Sequence, residues 1–277
     1  MDSYKNFVGL GVAGNFALHL EQAGEAGDFK DVLTEDPNGP KGVFPFYIPG
    51  REGQLGVYPI SDDTIMLPKE ECNVQPEPEV ALVCDLEYDE AGKVTRIVPK
   101  AFGAYNDCSL RKEGAAKISH KKNWGPSSKG LSATLIPVDA FGKGGKLDTY
   151  RIASFLRRDG NLFRYGEDVE LSGYSFFYDR LLDWLTHQIN TQHDFGPLEP
   201  VGEYLRGAGC PKEAIISIGA TRYTRFGETN FLKEGDEVII VVYDNDLYCM
   251  NPILSMANRG ALEGEGISAL VQKVIRG

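Results

Sequence analysis

Two glutamates, two positions apart, open an apolar stretch in the first third of the chain. Glu77 and Glu79 stand in QPEPEVALVCDL, ahead of a run that predicts a β-strand. Side chains at positions i and i+2 of a strand point to the same face, so the two carboxylates converge. Pro78 cannot donate to a strand ladder, which places this segment at a strand start or edge. On this pair alone, solvated carboxylates at an exposed strand end are the preferred interpretation.

A third carboxylate follows at the end of the apolar run in AFGAYNDCSLR, residues 101–111. With the glutamate pair, Asp107 would complete an all-oxygen site of the kind that suits Mg²⁺ or Mn²⁺. The alternative is a capped turn, in which Asn106 and Asp107 satisfy backbone N–H groups. The residues themselves leave both interpretations open.

A glycine pattern near the N-terminus raises a second hypothesis. Gly9, Gly11 and Gly14 spell G-x-G-x-x-G, the spacing of a dinucleotide-binding turn. That turn needs a buried strand before it and an acidic residue at the end of a second strand about 20 residues later. Only Phe7 and Val8 are apolar before the first glycine, and GDFKDVLTEDPNGPKG carries no apolar strand. We therefore interpret the stretch as a flexible glycine-rich turn that leads into a helix.

Composition restricts the class of protein. A chain of 277 residues with 42% hydrophobic content can bury a large core. The net charge of −11 argues against a nucleic-acid surface, and no apolar run or leader indicates a membrane segment. Five cysteines without a C-x-x-C pattern exclude a disulfide framework and favour a reducing compartment. We expect a cytoplasmic protein that binds neither nucleic acid nor membranes.

The hydrophobic pattern predicts a chain made mostly of strands. From residue 56 onward, short apolar runs alternate with turn residues, and YDEAGKV (88–94) indicates a hairpin turn. Residues 36–53 are rich in glycine and proline and predict a loop. The absence of regular strand–helix alternation predicts an α+β fold. Helices are expected at 15–26 with Asn15 as N-cap, at 175–189 with Ser175 as cap, at 202–209 and at 267–276.

Taken in order, these segments resemble the fumarylacetoacetate hydrolase superfamily, whose members carry an E-x-E pair followed downstream by N-D-x-S-x-R. The chain has Glu77 and Glu79, then NDCSLR at residues 106–111. KGLSATLIP (129–137) is similar to the segment that begins with the family's lysine; Lys129 is the match and Lys122 is the rival. ISIGATRYTRFG, which contains Thr221, is similar to a later segment whose threonine contacts substrate.

The resemblance implies a fold and a cofactor. The fold is a mixed β-sandwich roll of the family's C-terminal-domain type with a few flanking helices. Residues 1–60 are expected to form an N-terminal segment with a lid helix and a Gly/Pro-rich loop, and residues 61–277 the catalytic domain. Glu77, Glu79 and Asp107 are expected to bind Mg²⁺, with Mn²⁺ or Ca²⁺ as alternatives. The family commonly forms homodimers, so we expect one.

The resemblance also implies a reaction. It is a Mg²⁺-dependent hydrolysis that cleaves a C–C bond in a small acylpyruvate or related β-dicarbonyl acid through a metal-stabilised enolate. Lys129 is expected to act on substrate oxygen as a catalytic residue. Substrate-binding residues are expected to include Arg111, Asn106 and Thr221.

The N-terminal stretch gains a different interpretation from this family. GNFALHLEQ is similar to its G-x-N-Y-x-x-H-x-x-E segment, in which the histidine and glutamate activate water. The match makes His19 and Glu21 the catalytic candidates, although Glu21 lies at i+2, which points away from i on a helix. Gln22 stands where the family has its glutamate and is expected to orient His19 or bind substrate.

These departures keep other functions open. Decarboxylation, isomerisation or tautomerisation of a 2-oxo acid needs the same metal but no activated water. Ala133 and Arg222 replace a threonine and a proline of the family close to the substrate. A catalytically inert scaffold that binds a metal or metabolite is therefore a further alternative.

Overall fold

Strands dominate the structure, a computed structural model that describes residues 1–32, 34, 36–112 and 114–277. The strands are β1 Val8–Ala13, β2 Gly42–Tyr47, β3 Ile60–Ser61, β4 Thr64–Leu67, β5 Val74–Gln75, β6 Pro78–Tyr88, β7 Val94–Asn106, β8 Ser109–Leu110, β9 Lys129–Leu131, β10 Ile136–Pro137, β11 Tyr150–Arg158, β12 Asn161–Glu170, β13 Glu213–Ser217, β14 Glu237–Asp244 and β15 Ile267–Arg276. The α-helices are α1 His19–Gln22, α2 Ser119–Lys122, α3 Tyr178–Thr191, α4 Val201–Gly207, α5 Arg225–Thr229 and α6 Met250–Arg259. Short 3₁₀ turns lie at Asp2–Tyr4, Ala26–Phe29, Gln54–Gly56, Lys146–Thr149 and Leu171–Gly173.

The larger sheet has the strand order β2-β1-β13-β6-β7-β9-β3, and β10 also pairs with β7. Strand β1 runs parallel to β13, while β6 runs antiparallel to both β13 and β7. Strand β9 is antiparallel to the end of β7. The carboxyl ends of β1, β7 and β13 therefore meet the amino ends of β6 and β9 at one edge of the sheet.

A second sheet, in the order β12-β11-β14-β15-β4, packs on the first. Strand β7 contacts β14 and β15, and β6 contacts β11, so the two sheets face each other. Their facing side chains are apolar and buried, among them Leu82, Phe102, Ile152, Ile240 and Leu270. Alternation of buried and exposed residues fixes which face of each strand enters this core. The predicted α+β class with a β-sandwich is confirmed.

The N-terminal glycines lie in a strand, so the predicted glycine-rich turn is wrong. Gly9 and Gly11 belong to β1, beside β2 and β13. A Cβ at Gly9 would lie 2.2 Å from the Phe46 ring, and one at Gly11 would lie 2.3 Å from the Phe44 ring. The aromatic rings of β2 thus fill the space above the two glycines. The absence of a dinucleotide-binding turn agrees with the sequence analysis.

The predicted N-terminal helix is also shorter than expected. Helix α1 spans four residues, and its N-cap is Leu18 in a left-handed conformation (φ 68°), so Asn15 is not the cap. Gly24, at φ 70°, turns the chain after this helix. Residues 36–53 are not all loop, because β2 lies within them.

The C-terminal helix predicted at 267–276 is wrong, because this segment is strand β15. Its buried residues alternate: Ser268, Leu270, Gln272 and Val274 are buried, while Lys273 between them is exposed. A short apolar run cannot be assigned by helical periodicity alone, and β-branched residues favour a strand. The helix that does form near this end, α6, was not predicted.

Three further predicted elements are confirmed, the two helices with shifted ends. The long amphipathic helix is α3, and its N-cap is Phe177 rather than Ser175. Helix α4 and the hairpin turn between β6 and β7 lie where the sequence predicts them. Among the described residues, no helix combines the length and apolar character that crossing a membrane requires.

Candidate active site

Three carboxylates meet at the sheet edge where β6 begins and β7 ends. Pro78 pairs with Asn106 and Glu79 with Tyr105, which brings Asp107 beside the glutamate pair. The backbone N–H of Asp107 donates to the Glu77 carbonyl at 3.0 Å and fixes this approach. Each carboxylate offers an oxygen within 4.8 Å of the others, and the exposed fraction of each residue is 3% or less.

These oxygens suit a divalent ion better than a capped turn. Glu77 Oε1 and both carboxylate oxygens of Asp107 are buried and accept no hydrogen bond of normal geometry. Their neighbours are cations at ion-pair distance, which leaves lone pairs without directed donors. Buried carboxylate oxygens in this state are the ligands that Mg²⁺ and Mn²⁺ prefer. The three carboxylates therefore fit the divalent ion that the sequence implies.

Two lysines enter the same site, so the choice between them is not exclusive. Lys122 Nζ lies 2.5 Å from Glu77 Oε2 and 2.6 Å from Asp107 Oδ2. Lys129 Nζ lies 3.3 Å from Asp107 Oδ1 and donates to the Cys108 carbonyl. Lys129 reaches this point because β9 pairs with the end of β7, whereas Lys122 is the last residue of α2.

The pKa values of the three carboxyl groups are shifted in different directions. Burial opposes ionisation of Glu77, but Lys122 and Arg111 outweigh it and hold its pKa far below the usual range. Burial raises the pKa of Asp107 above its ordinary value, although Lys122 and Lys129 oppose this. Burial, with Asp107 and Glu77 close by, raises the pKa of Glu79 well above normal. Of the three groups, Glu79 is the one whose environment most favours the protonated carboxyl.

Arg111 links Glu77 to several other buried groups around the site. Its guanidinium contacts Glu77 Oε1 at 2.9 Å, Glu25 Oε1 at 2.8 Å, Gln75 Oε1 at 2.6 Å and the Tyr223 hydroxyl at 3.0 Å. These partners use its planar fork, which suits bidentate and multiple carboxylate contacts. The structure thus places Arg111 in a network of protein groups rather than at an open surface.

His19 faces the carboxylates from α1. Its Nδ1 lies 3.0 Å from the Thr221 carbonyl, an acceptor, so Nδ1 carries the hydrogen and Nε2 has the free lone pair. Burial lowers the pKa of His19 to about 4, with Arg111 adding to the effect and Glu77 opposing it. The ring is therefore neutral at pH 7.

The two residues expected to partner His19 lie elsewhere. Glu21 is exposed at the surface, so the structure does not bring it to the site. Gln22 accepts from the Tyr223 N–H at 2.9 Å and donates to the Tyr223 carbonyl at 3.2 Å and Glu228 Oε1 at 2.7 Å. Gln22 therefore joins α1 to the segment after β13 instead of orienting the imidazole.

Glu25 is the carboxylate that the sequence analysis missed. It is buried, lines the same cavity as His19 and pairs with Arg111 and Lys121, each at 2.8 Å. A continuous helix would carry position 25 away from position 19, but α1 ends at Gln22 and Gly24 turns the chain back. The glycine two residues after the helix was the signal that could have found it.

Asn106 and Thr221 serve the backbone around the site. Asn106 Oδ1 accepts from the Glu77 N–H at 3.1 Å, and its amide donates to Gln272 Oε1 at 3.0 Å. The Thr221 hydroxyl donates to the Pro78 carbonyl at 3.3 Å. Both side chains are buried beside the carboxylates, where they hold the strand ends in place.

His19 and the three carboxylates line one small cavity. The centre of a water molecule can occupy about 20 Å³ of it. Its polar lining is His19, Glu25, Glu77, Glu79, Asp107 and Lys122, and its apolar lining includes Leu20, Phe29 and Phe44. A volume of this size holds one water molecule or ion, not an organic substrate.

Solved structures with this architecture define its class. A 5-carboxymethyl-2-hydroxymuconate delta-isomerase from Mycobacterium smegmatis superposes with a TM-score of 0.53 at 16% identity, covering 98% of this chain and 79% of that one. A protein described as belonging to the fumarylacetoacetate hydrolase family, from Yersinia pestis CO92, gives 0.52 at 15% identity, with 97% and 93% covered. A 2-keto-3-deoxyarabinonate dehydratase gives 0.50 at 14% identity, with 98% and 73% covered. The chain has the fold of the fumarylacetoacetate hydrolase superfamily, which confirms the resemblance at the level of fold.

Sequence comparison places the chain more narrowly. The model of DUF5718, a family of unknown function, matches residues 25–274, so the chain belongs to this family. No curated protein matches the sequence. The chain thus belongs to a family of unknown function and shares its fold with the solved structures described above.

Proposed function

We propose that this protein is a divalent-metal-dependent enzyme that acts on a small 2-oxo or β-keto acid. The observation that carries the proposal is the convergence of Glu77, Glu79 and Asp107 on one buried cavity with His19 and a lysine. Buried acidic clusters with perturbed pKa values mark functional sites, since burying charge is costly. Mg²⁺ is the proposed ion, with Mn²⁺ or Ca²⁺ as alternatives.

The carboxylates would hold the ion and the remaining groups would handle substrate. A bound Mg²⁺ supplies Lewis-acid stabilisation of negative charge on a substrate oxygen. Lys129, whose pKa burial lowers, can donate a hydrogen bond to a substrate oxygen from beside Asp107. Arg111 keeps Glu77 ionised and oriented as a ligand through their contact at 2.9 Å.

His19 is the proposed proton-transfer residue. Its neutral ring directs Nε2 away from Thr221, and the residue lines the cavity together with the three carboxylates. Neutral imidazole can accept a proton at Nε2 while the Thr221 carbonyl holds Nδ1–H in one tautomer. The catalytic assignments of Lys129 and Glu21 stay proposals, and the exposure of Glu21 argues against a role at this cavity.

Hydrolysis of a C–C bond in an acylpyruvate is the first candidate reaction, on the strength of the sequence resemblance. This reaction requires a water molecule that is activated by giving a proton to His19. A carboxylate beside His19 would stabilise the imidazolium that forms. Glu25 lines the cavity, but its Oε1 is already paired with Arg111 and Lys121. The group on Nδ1 is a neutral carbonyl.

Because the partner of His19 Nδ1 is the neutral Thr221 carbonyl, a second candidate is favoured, the decarboxylation or tautomerisation of a 2-oxo acid. These reactions need charge stabilisation and a proton relay but no attack by water. Solved structures of an isomerase and of a dehydratase share this fold. They support only the conclusion that one fold can host different reactions. The two candidates share the metal site and differ in the product.

Acylpyruvates, oxaloacetate and simple 2-oxo acids should be assayed with Mg²⁺ in D₂O by NMR. Hydrolysis gives two acids, decarboxylation releases CO₂, and tautomerisation incorporates deuterium without cleavage. Turnover that is saturable and abolished by EDTA is expected, and it should disappear in Asp107→Asn. Asp85→Asn is the matched control, because Asp85 is a half-exposed residue of β6 paired only with Lys100.

Two outcomes would count against the proposal. Turnover that persists in EDTA and in Asp107→Asn would remove the metal from the mechanism. Metal binding without turnover of any of these compounds would favour the inert scaffold.

A further inference from the structure

Lys122 lies where a cation shared by two of the carboxylates would lie. Its Nζ is 2.5 Å from Glu77 Oε2 and 2.6 Å from Asp107 Oδ2, and its exposed fraction is 3%. The same residue lines the cavity with Glu77, Glu79 and Asp107. The centroid of the Phe44 ring lies 5.2 Å from Nζ.

We propose that the Lys122 ammonium is a built-in cation that competes with a divalent ion for Glu77 and Asp107 and must withdraw before all three carboxylates can bind that ion. This inference rests on the proposed metal-dependent function. It adds an internal competitor, so that the metal-free protein has its own way of neutralising the buried carboxylates.

The other basic groups are less suited to this role. Lys129 is part of β9 and donates to the Cys108 carbonyl, so it is held on a strand. Arg111 is fixed by four partners. Lys122 ends a one-turn helix, and within the described part of the chain its ammonium forms ion pairs with these two carboxylates alone. Its four-carbon chain allows the ammonium to leave by rotation about side-chain bonds, without movement of a strand.

Charge balance explains why such a cation is retained. Glu77 and Asp107 are ion-paired with three basic side chains, those of Arg111, Lys122 and Lys129, and Arg111 is shared with Glu25. An unpaired buried carboxylate is strongly unfavourable, so the lysine stabilises the protein when no metal is bound. A metal ion can bind all three carboxylates only in the fraction of protein in which Lys122 has withdrawn. Its apparent affinity is therefore the intrinsic affinity multiplied by that fraction.

The test is Mn²⁺ affinity by isothermal titration calorimetry in wild type, Lys122→Met and Lys121→Met. We expect Lys122→Met to bind Mn²⁺ tighter by about tenfold or more, because the competing state is lost. Lys121→Met is the matched control: it removes one charge from the same helix, but Lys121 pairs with Glu25 and Asp28, each at 2.8 Å, not with the metal ligands. Its Mn²⁺ affinity should stay close to that of wild type.

Lys122→Met leaves two buried carboxylates without their lysine and could fail to fold without metal, so a second measurement uses wild type. In a crystal structure of wild type with Mn²⁺, Lys122 Nζ should lie beyond hydrogen-bond distance of Glu77 and Asp107. Equal affinity in the variant and wild type, or a bound Mn²⁺ with Lys122 still on both carboxylates, overturns the inference alone. Binding by Lys122→Met but not by wild type overturns the proposed metal dependence and supports the competition.

Discussion

Buried charge is the dominant feature at the scale of single residues. Glu77, Asp107, Lys122 and Lys129 are almost fully buried within one ion-pair network. Hydrophobic residues of similar volume often stabilise a fold as well as such a network does. The presence of the carboxylates is therefore better accounted for by the proposed metal binding than by a gain in stability, while the lysines offset the cost of burying them.

Asp107→Asn should weaken Mn²⁺ binding by more than about 100-fold, because loss of a direct ligand exceeds the 10- to 100-fold effect of outer residues. The substitution keeps the side-chain shape and leaves Lys122 and Lys129 with one carboxylate fewer. Calorimetric titration with Mn²⁺ measures the effect, with Asp85→Asn as control. Unchanged affinity would show that Asp107 is not a ligand.

His19 should make stability depend on pH in EDTA. Its pKa is about 4 in the folded protein, below the value near 6.5 in the unfolded chain, so the unfolded state binds more protons between these values. Stability from this group is complete above pH 6.5 and is lost as pH falls, by about 2 kcal/mol at pH 5. Urea unfolding at pH 7.5 and pH 5 should show a larger loss in wild type than in His19→Gln. Equal losses would contradict the buried neutral imidazole.

At the scale of elements, strand ends position the candidate site. The carboxylates come from the start of β6 and the end of β7, while β1 leads into the segment that carries His19 and Glu25. That segment covers the cavity and is held by side-chain contacts from Asn15, Gln22 and Glu25. Gly14, His19, Leu20, Glu25 and Phe29 of this segment line the cavity beside the carboxylates.

Gly11→Ala should destabilise the protein by about 1–3 kcal/mol or more, since the new methyl group would overlap the Phe44 ring of β2. Urea unfolding measures the change in free energy. Gly207→Ala is the control, because nothing lies within 4 Å of a Cβ built at this helical position. Equal stability of the two variants would show that β1 does not pack against β2 through its glycines.

Gln22→Ala should loosen the segment over the cavity. Loss of its three hydrogen bonds to Tyr223 and Glu228 is expected to reduce stability by about 1–3 kcal/mol and to speed amide exchange in residues 14–29. Hydrogen-exchange mass spectrometry measures the effect. Glu21→Ala changes an exposed side chain of the same helix and should leave exchange unchanged. If both variants exchange at the wild-type rate, Gln22 is not the anchor.

At the scale of the whole molecule, two facing sheets form one sandwich. Residues 8–13 and 42–47 supply two strands of the larger sheet, beside strands from residues 78–106 and 213–217. The predicted boundary near residue 60 stays a prediction. The small-molecule partner and the cytoplasmic location also stay predictions.

A homodimer is the expected assembly. The expectation rests on the family resemblance, because the middle of the edge strand β12 is already paired with residues 222–224 through backbone hydrogen bonds. Light scattering after size-exclusion chromatography should give twice the chain mass of 30.5 kDa. A mass that stays at one chain across the concentration range would contradict the dimer.

Sequence alone determined the residues that matter most here. The E-x-E pair opens one apolar run and the N-D pair ends the next, and the two runs with the turn between them predict β6, β7 and their hairpin. Adjacent antiparallel strands joined by a short turn have their register set locally, which makes the approach of Asp107 to Glu77 and Glu79 accessible to sequence reasoning. The pattern itself left a metal site and a capped turn both open, and the family resemblance selected the metal site.

Tertiary structure decided what local pattern could not. Segment 267–276 is a strand because it pairs with β14 and buries alternate residues against β7, contacts invisible to its own periodicity. Glu25 returns to the site only because Gly24 reverses the chain, and Lys122 reaches Glu77 across 45 residues. Long-range contacts of this kind depend on packing between elements that are distant in sequence. The spacing of residues within one element does not predict that packing.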